Sequence, residues 1–239
     1  MRRVLIIFKW MLAISLLVVL LTFTNESQAV QEISLNKIEI QESPDDFVNT
    51  QIVLNYLKNK SLRFDSMLAT DFNKEILEDL LASHPAIREV EVFTNQKGEM
   101  NIIIEQKKAI VRIKSNTDDY FLDEDGGKMP LSDNYTPKLV VATGDIRTEH
   151  HFEIYSFIQQ INKLEFWNAQ IAQIHFEKDK ILLIPRVGNQ KINIGGFDNI
   201  LQKLDNLYQF YKVVMPVKGW QTYSDINLNF NNQIVCVRK

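Results

Sequence analysis

The sequence predicts an α+β protein: a single N-terminal transmembrane helix, a β-α-α-β-β domain, then a β-rich domain with two or more helices on an antiparallel sheet. Three observations predict it. An apolar run of bilayer length opens the chain at residues 4–23. Two stripes of helical period then precede two strand-like stretches, the first with apolar residues alternating with charges. Short strand patterns broken by helical stripes fill the second half. These features divide the chain into an anchor at 1–24, a tether at 25–32, a first domain at 33–114 and a second at 115–239.

A helix crosses a bilayer with about 20 mainly apolar residues, and residues 4–23 supply that length. Arg2 and Arg3 precede the run, Lys9 lies near enough to that end to snorkel to the headgroups, and Trp10 suits the inner interface. The first acidic residue, Glu26, comes after it. This asymmetry holds the N-terminus in the cytoplasm and places the remainder outside. A cleavable signal peptide is the competing reading, with Met1-Arg2-Arg3 as its basic region and Ser27-Gln28-Ala29 as its cleavage site. Both readings put the bulk of the chain outside the cytoplasm. No cysteine follows the run closely, so the pattern is not that of a lipoprotein.

In the first domain, Ile38 and Ile40 alternate with Lys37 and Glu39 as in a strand. Ser43-Pro44-Asp45-Asp46 marks a turn and helix start, after which Val48, Ile52, Tyr56 and Leu57 recur at helical spacing. A second helix carries Ile76, Leu77, Leu80 and Leu81 on one face and stops before Pro85. Residues 87–93 alternate apolar and charged, Asn95-Gln96-Lys97-Gly98 turns the chain, and residues 100–105 return as a more apolar strand that 109–113 extends or follows. A small sheet covered on one face by two helices buries all these stripes.

The second domain reads as strands at 120–122 and 139–142, then a helix bearing Phe152, Tyr155, Phe157, Ile158, Ile161 and Leu164. Strands at 171–176, 181–184 and 191–194 follow. Ile200, Leu201, Leu204, Leu207, Tyr208 and Tyr211 form a strong helical stripe. Strands at 224–230 and 233–238, joined at Asn231-Asn232, close the chain.

Composition excludes some classes. The net charge of -3 argues against a nucleic-acid binder. Cys236 is the only cysteine, so the external part is held by its core and not by an internal disulfide. Cofactor and metal motifs fail on spacing. Asp123-x-Asp125-Gly126 resembles a calcium loop, but Asn134 stands where its bidentate Glu belongs, and a plain turn is the better reading. His150 and His151 point about 100° apart on a helix and lack a third ligand, which reads as a solvated helix start. Gly195-Gly196 lacks the dinucleotide spacing. Ser34-x-x-Lys37 and Ser132-Asp133-Asn134 match two motifs of penicillin-recognising enzymes, but no K-T-G follows. No converging nucleophile, base and oxyanion donors emerge, and the chain does not read as an enzyme.

The element order, with several local motifs, resembles the FtsQ/DivIB family of bacterial cell-division proteins, most of all its divergent Bacteroidetes-type members. His84-Pro85-Ala86-Ile87-Arg88-Glu89-Val90-Glu91-Val92 is similar to the family's entry into the second strand of its POTRA domain. The stretch 102–113 resembles the close of that domain, with Lys108 where proline is common. Tyr120-Phe121-Leu122-Asp123-Glu124-Asp125-Gly126 and Met129-Pro130-Leu131 resemble the opening of the β domain. Asn227-Leu228-Asn229-Phe230 resembles the motif before the last strand, with asparagines for the usual Asp and Arg. The resemblance implies a non-enzymatic divisome scaffold in the inner membrane at the septum, with its bulk in the periplasm and no cofactor. Its β domain would bind FtsB/FtsL-like membrane coiled-coil proteins that regulate septal peptidoglycan synthesis, and its POTRA-like domain other division proteins. A POTRA-bearing periplasmic protein that assists folding or secretion of other polypeptides is the alternative; it would carry a barrel or repeated POTRA units. A secreted cell-wall enzyme ranks below both.

The closing hairpin has two physical readings. A last strand at a sheet edge offers unpaired backbone groups to an added strand, whereas a strand paired on both sides offers none. The resemblance implies the former, with Phe230, Asn232, Gln233, Ile234, Val235 and Arg238 as the contact residues and Phe230 as the aromatic anchor.

Overall fold

The computed structural model describes residues 8–19, 32–43, 45–60, 67–68, 72–178, 180–230 and 233–239. Residues 8–19 form a helix, α1, whose apolar side chains are exposed on all sides, from Phe8 at 61% through Trp10 at 67% to Val19 at 51%. At 1.5 Å per residue this described piece covers about 18 Å, short of the roughly 30 Å of a bilayer core. Among the described residues no helix is long and apolar enough to cross a membrane. Arg2 and Arg3 lie outside the described residues, as does the remainder of the 4–23 run.

The chain then separates into two compact units that meet at Gln106/Lys107. The first holds β1 (Glu32–Ile40), α2 (Thr50–Asn59), β2 (Met67–Leu68), α3 (Lys74–Ala82), β3 (Ile87–Thr94) and β4 (Glu99–Gln106). Its sheet runs β2-β1-β4-β3, with β1 parallel to β4 and β3 antiparallel to it. The β3–β4 turn forms where expected because the Asn95 side-chain oxygen accepts from the N–H groups of Lys97 and Glu99, at 2.9 and 3.0 Å, and Gly98 takes φ 75. Both helices start on asparagine caps: Asn49 accepts from Ile52, and Asn73 from Glu75 and Ile76. Helix α2 therefore begins after Val48, not at Ser43-Pro44, and its inward residues are Val53 and Leu57. In α3 the inward residues are Leu77 and Leu81. Ile76 is 60% exposed and Leu80 only half-buried, so the four do not share one buried face. Met100, Ile102 and Ile104 alternate inward along β4 and complete the core.

The second unit holds β5 (Ala109–Ser115), β6 (Asp119–Asp123), β7 (Lys128–Pro130), β8 (Val140–Gly144), a 3-10 turn leading into α4 (His151–Ile161), α5 (Glu165–Gln170), β9 (Ile171–Glu177), β10 (Lys180–Pro185), β11 (Lys191–Gly195), α6 (Ile200–Lys218), β12 (Tyr223–Asn227) and β13 (Val235–Arg238). Nine strands form one sheet in the order β13-β12-β11-β10-β9-β8-β5-β6-β7. Stretch 109–113 pairs with β6 and β8, so it opens the second unit and does not close the first.

The sheet is mixed, which corrects the antiparallel expectation. Strands β5 and β8, β8 and β9, and β11 and β12 run parallel. The reason lies in the connections: α4 and α5 carry the chain from β8 to β9, and α6 from β11 to β12, and a helical crossover delivers the next strand parallel. Ile154, Phe157, Ile158 and Ile161 of α4 and Leu204, Leu207, Tyr211 and Met215 of α6 pack with Val111, Ile113, Ala142, Ile174, Leu183, Ile192 and Ile226 of the strands in one core. Three residues of the sequence stripes fall outside it: Phe152 is 76% exposed, Leu201 54% and Leu164 36%.

The calcium-like loop is a turn. Asp123 Oδ1 accepts from the N–H groups of Asp125 and Gly127 at 3.0 and 2.7 Å, while Oδ2 receives Lys107 Nζ at 2.9 Å. The adjacent histidines are half-buried and not solvated. His150 stacks on Phe176 with ring centroids 5.0 Å apart, and His151 Nε2 shares a 2.5 Å hydrogen bond with the Tyr120 hydroxyl.

Candidate functional site

Strand β13 ends the nine-stranded sheet. Among the described residues its one neighbour is β12, to which it pairs antiparallel with Asn227 opposite Val235, Ile226 opposite Cys236 and Asp225 opposite Val237. Among the described residues the strand is paired on one side. Ile234 and Cys236 pack against the core, and burial pushes the Cys236 thiol pKa up, away from thiolate reactivity. The alternate residues Val235 and Val237 are 43% and 55% exposed. They share the other sheet face with Asn227 and Asp225.

The direction of the backbone groups follows from one bond. Lys239 N–H donates to the Thr222 carbonyl at 3.1 Å, so it points at β12. The bulge at Ser224 lies in β12 and leaves β13 regular. Backbone groups alternate along a strand, so Val235 and Val237 also face β12, while Cys236 and Arg238 turn their N–H and C=O outward. Those two residues carry the free edge.

The approach to the strand is apolar. Leu228 is buried and tied by its N–H to the Asn193 carbonyl at 2.8 Å, and two residues on Phe230 stands 48% exposed. Strand pairing in β12 stops at Asn227, earlier than the sequence suggests, because Leu228 bonds to β11 and Asn229 N–H turns onto the Asn227 side chain. Gln233 and Ile234 come just before β13 and line a groove of about 600 Å³ with Asn206, Gln209, Phe210, Val213 and Val214 of α6. Val213 is 69% exposed. Arg238 is exposed and makes no ion pair among the described residues.

Of the six expected contact residues, the structure brings Gln233, Ile234, Val235 and Arg238 to this edge and its groove, with Phe230 at the mouth of the hairpin. Asn232 lies outside the described residues. Phe210 and Val213 were not foreseen. Both fall out of phase with the Leu204–Leu207–Tyr211 stripe; Phe210 packs half-buried against the core and Tyr223, and Val213 stands outward beside it. Among the anchor residues, Lys9 and Trp10 lie in α1.

Comparison with known proteins bears on both units. Residues 108–237 match the family model described as FtsQ/DivIB, C-terminal related, and residues 29–105 match that of a POTRA-like domain. Among solved structures, the major extracytoplasmic domain of the trans isomer of the cell-division protein DivIB from Geobacillus stearothermophilus is similar over 46% of this chain and 96% of that one, at 14% identity and a TM-score of 0.32. No curated protein matches the chain.

Proposed function

The chain belongs to the FtsQ/DivIB family of cell-division proteins, and from that membership we propose that it is a divisome scaffold which binds other membrane division proteins by strand addition to β13. The observation that carries this reading is the free edge of β13, with the outward N–H groups of Cys236 and Arg238 beside an apolar groove. An added strand gains main-chain hydrogen bonds there. Phe230, Gln233 and Ile234 give it side-chain purchase, and Arg238 selects an acidic neighbour. FtsB/FtsL-like coiled-coil proteins are the proposed occupants, and the POTRA-like unit serves further division proteins. The mainly apolar surface of α1, broken by Lys9 and Ser15, supports retention at the inner membrane, with Arg2, Arg3 and Lys9 on the cytoplasmic side, since such a surface is more stable against lipid than against water.

The test is co-purification with the division proteins of the same cell. Proline at an outward-facing position removes a donor from the free edge without breaking the β12 ladder. Cys236→Pro should therefore lose partners that Cys236→Ala keeps, and Phe230→Ala should weaken capture by about 1–2 kcal/mol, as a hot-spot aromatic does. Undiminished capture by folded Cys236→Pro overturns strand addition. A fluorescent fusion spread evenly over the envelope throughout the cell cycle overturns the scaffold reading, and a mature chain beginning at Val30 overturns the anchor.

A further inference from the structure

A second hollow opens on the opposite side of α6, and nothing in the strand-addition reading uses it. Leu201, Leu204, Asp205 and Tyr208 line it from α6, and Leu164, Glu165, Phe166 and Trp167 from the start of α5, around a volume of about 430 Å³. At about 100° per residue these α6 positions lie roughly 150° around the helix from those facing the β13 groove. The volume falls in the range of ligand pockets, about 300–1,000 Å³.

Three apolar side chains of the rim are open to solvent, Leu164 at 36%, Phe166 at 38% and Leu201 at 54%. Scattered exposed leucines need no explanation, but these gather around one cavity. The walls are held in place: Phe166 meets Trp167 and Tyr208 edge-on, with ring centroids 4.9 Å away in each case. Trp167 is 4% exposed, so it forms a floor and presents no open ring face for a sugar to stack on.

Charge selects the occupant. Both charged residues of the lining, Glu165 and Asp205, are acidic and exposed, and neither forms an ion pair among the described residues. Of the nearby lysines of α6, Lys203 is engaged elsewhere, whereas Lys212 stands against a wall of the pocket itself, one cation beside two carboxylates. Lys203 binds the carbonyls of Ile194 and Gly196 and the Asp198 carboxylate, and Lys212 lies over the Tyr208 ring at 5.3 Å. Two unpaired carboxylates flanking an apolar hollow repel anionic headgroups and attract cations.

We propose that this pocket docks a basic amphipathic helix of another protein, whose apolar side chain fills the hollow while flanking Lys or Arg residues meet Glu165 and Asp205. The site stands apart from β13, so loss of one leaves the other.

The experiment uses the full chain in nanodiscs of zwitterionic lipid and a fluorescein-labelled model helix of Leu and Lys, read by fluorescence anisotropy. Saturable binding above that of empty nanodiscs is expected. It should weaken with salt and fall roughly tenfold in the Glu165→Lys/Asp205→Lys double variant. Leu201→Ser, which keeps both charges, should also weaken it. All three positions are exposed, and unchanged thermal melts by circular dichroism verify the fold. Three outcomes overturn the proposal: equal uptake by empty nanodiscs, which assigns the probe to lipid; equal binding of the same helix with Glu in place of Lys; or undiminished binding by the charge-reversed variant.

Discussion

The side-chain oxygen of Gln106 accepts from the backbone N–H of Phe47 at 3.0 Å and of Val48 at 3.2 Å, and its amide donates to the Asp45 carbonyl at 2.6 Å. The last residue of β4 thus holds the chain entering α2, 61 residues earlier, from a position only 8% exposed. Gln106→Leu keeps most of the volume and removes the bonds that Gln106 makes to all three backbone groups. It should destabilise the protein by at least about 1–3 kcal/mol, the cost of one buried unsatisfied group. Denaturant unfolding measures this; an unchanged midpoint would mean that water replaces the amide without loss.

Leu81 is fully buried, whereas Leu80, its neighbour, is half-exposed. Leu81→Ala should cost about 2–5 kcal/mol and Leu80→Ala clearly less. Equal losses in the two variants would show that α3 is rotated about its axis from the described orientation.

Gly144 has φ 96, and a Cβ there would stand 2.1 Å from the Phe176 carbonyl oxygen. That oxygen also accepts from the Asp145 N–H, so it is not free to withdraw. Gly144→Ala should lose about 1–3 kcal/mol from backbone conformation alone, with the clash added. A thermal melt matching wild type would contradict the close approach of β8 and β9 at this point.

His84 Nδ1 accepts from the Ala86 N–H at 3.2 Å, and the ring meets Tyr56 edge-on at 4.9 Å. Burial lowers its pKa below 6.5. His151 is lowered as well, by burial first and then by Lys128 and His150. The unfolded chain therefore binds more protons than the native one once the pH falls below the ordinary histidine value. Stability should be flat above that value and decline toward the lower native pKa. Urea midpoints near pH 7.5 and pH 5.5 test this: the midpoint should drop at the acid pH, and by less in His84→Gln. A midpoint that rises on acidification would reverse the assignment of the neutral imidazole.

Much of the local structure was legible because period and turn chemistry are properties of short segments. The strand from Ile87 and the Asn95–Gly98 turn appear where they were read, the alternation broken by an irregularity between Ile87 and Glu89, and the Asn95 side chain closes the turn with its own neighbours. The stripe of α6 likewise showed itself, from Ile200 through Leu204 and Leu207 to Tyr211. The short helix α5 did not, because six residues hold fewer than two helical turns and no period can repeat within them.

The sequence by itself determined the family and the order of the longer helices and strands, because each rests on patterning within one stretch of chain. Only the tertiary structure decided that residues 109–113 belong to the second sheet, that this sheet is mixed, and that β13 lies at its end. Strand order depends on which distant segments exchange hydrogen bonds, and the alternation of side chains along a strand is the same whichever neighbour it has. The same holds for the outward turn of Cys236 and Arg238 and for the meeting of α5 with α6 around an acidic-rimmed hollow. Each is a relation between elements that no single stretch of sequence encodes.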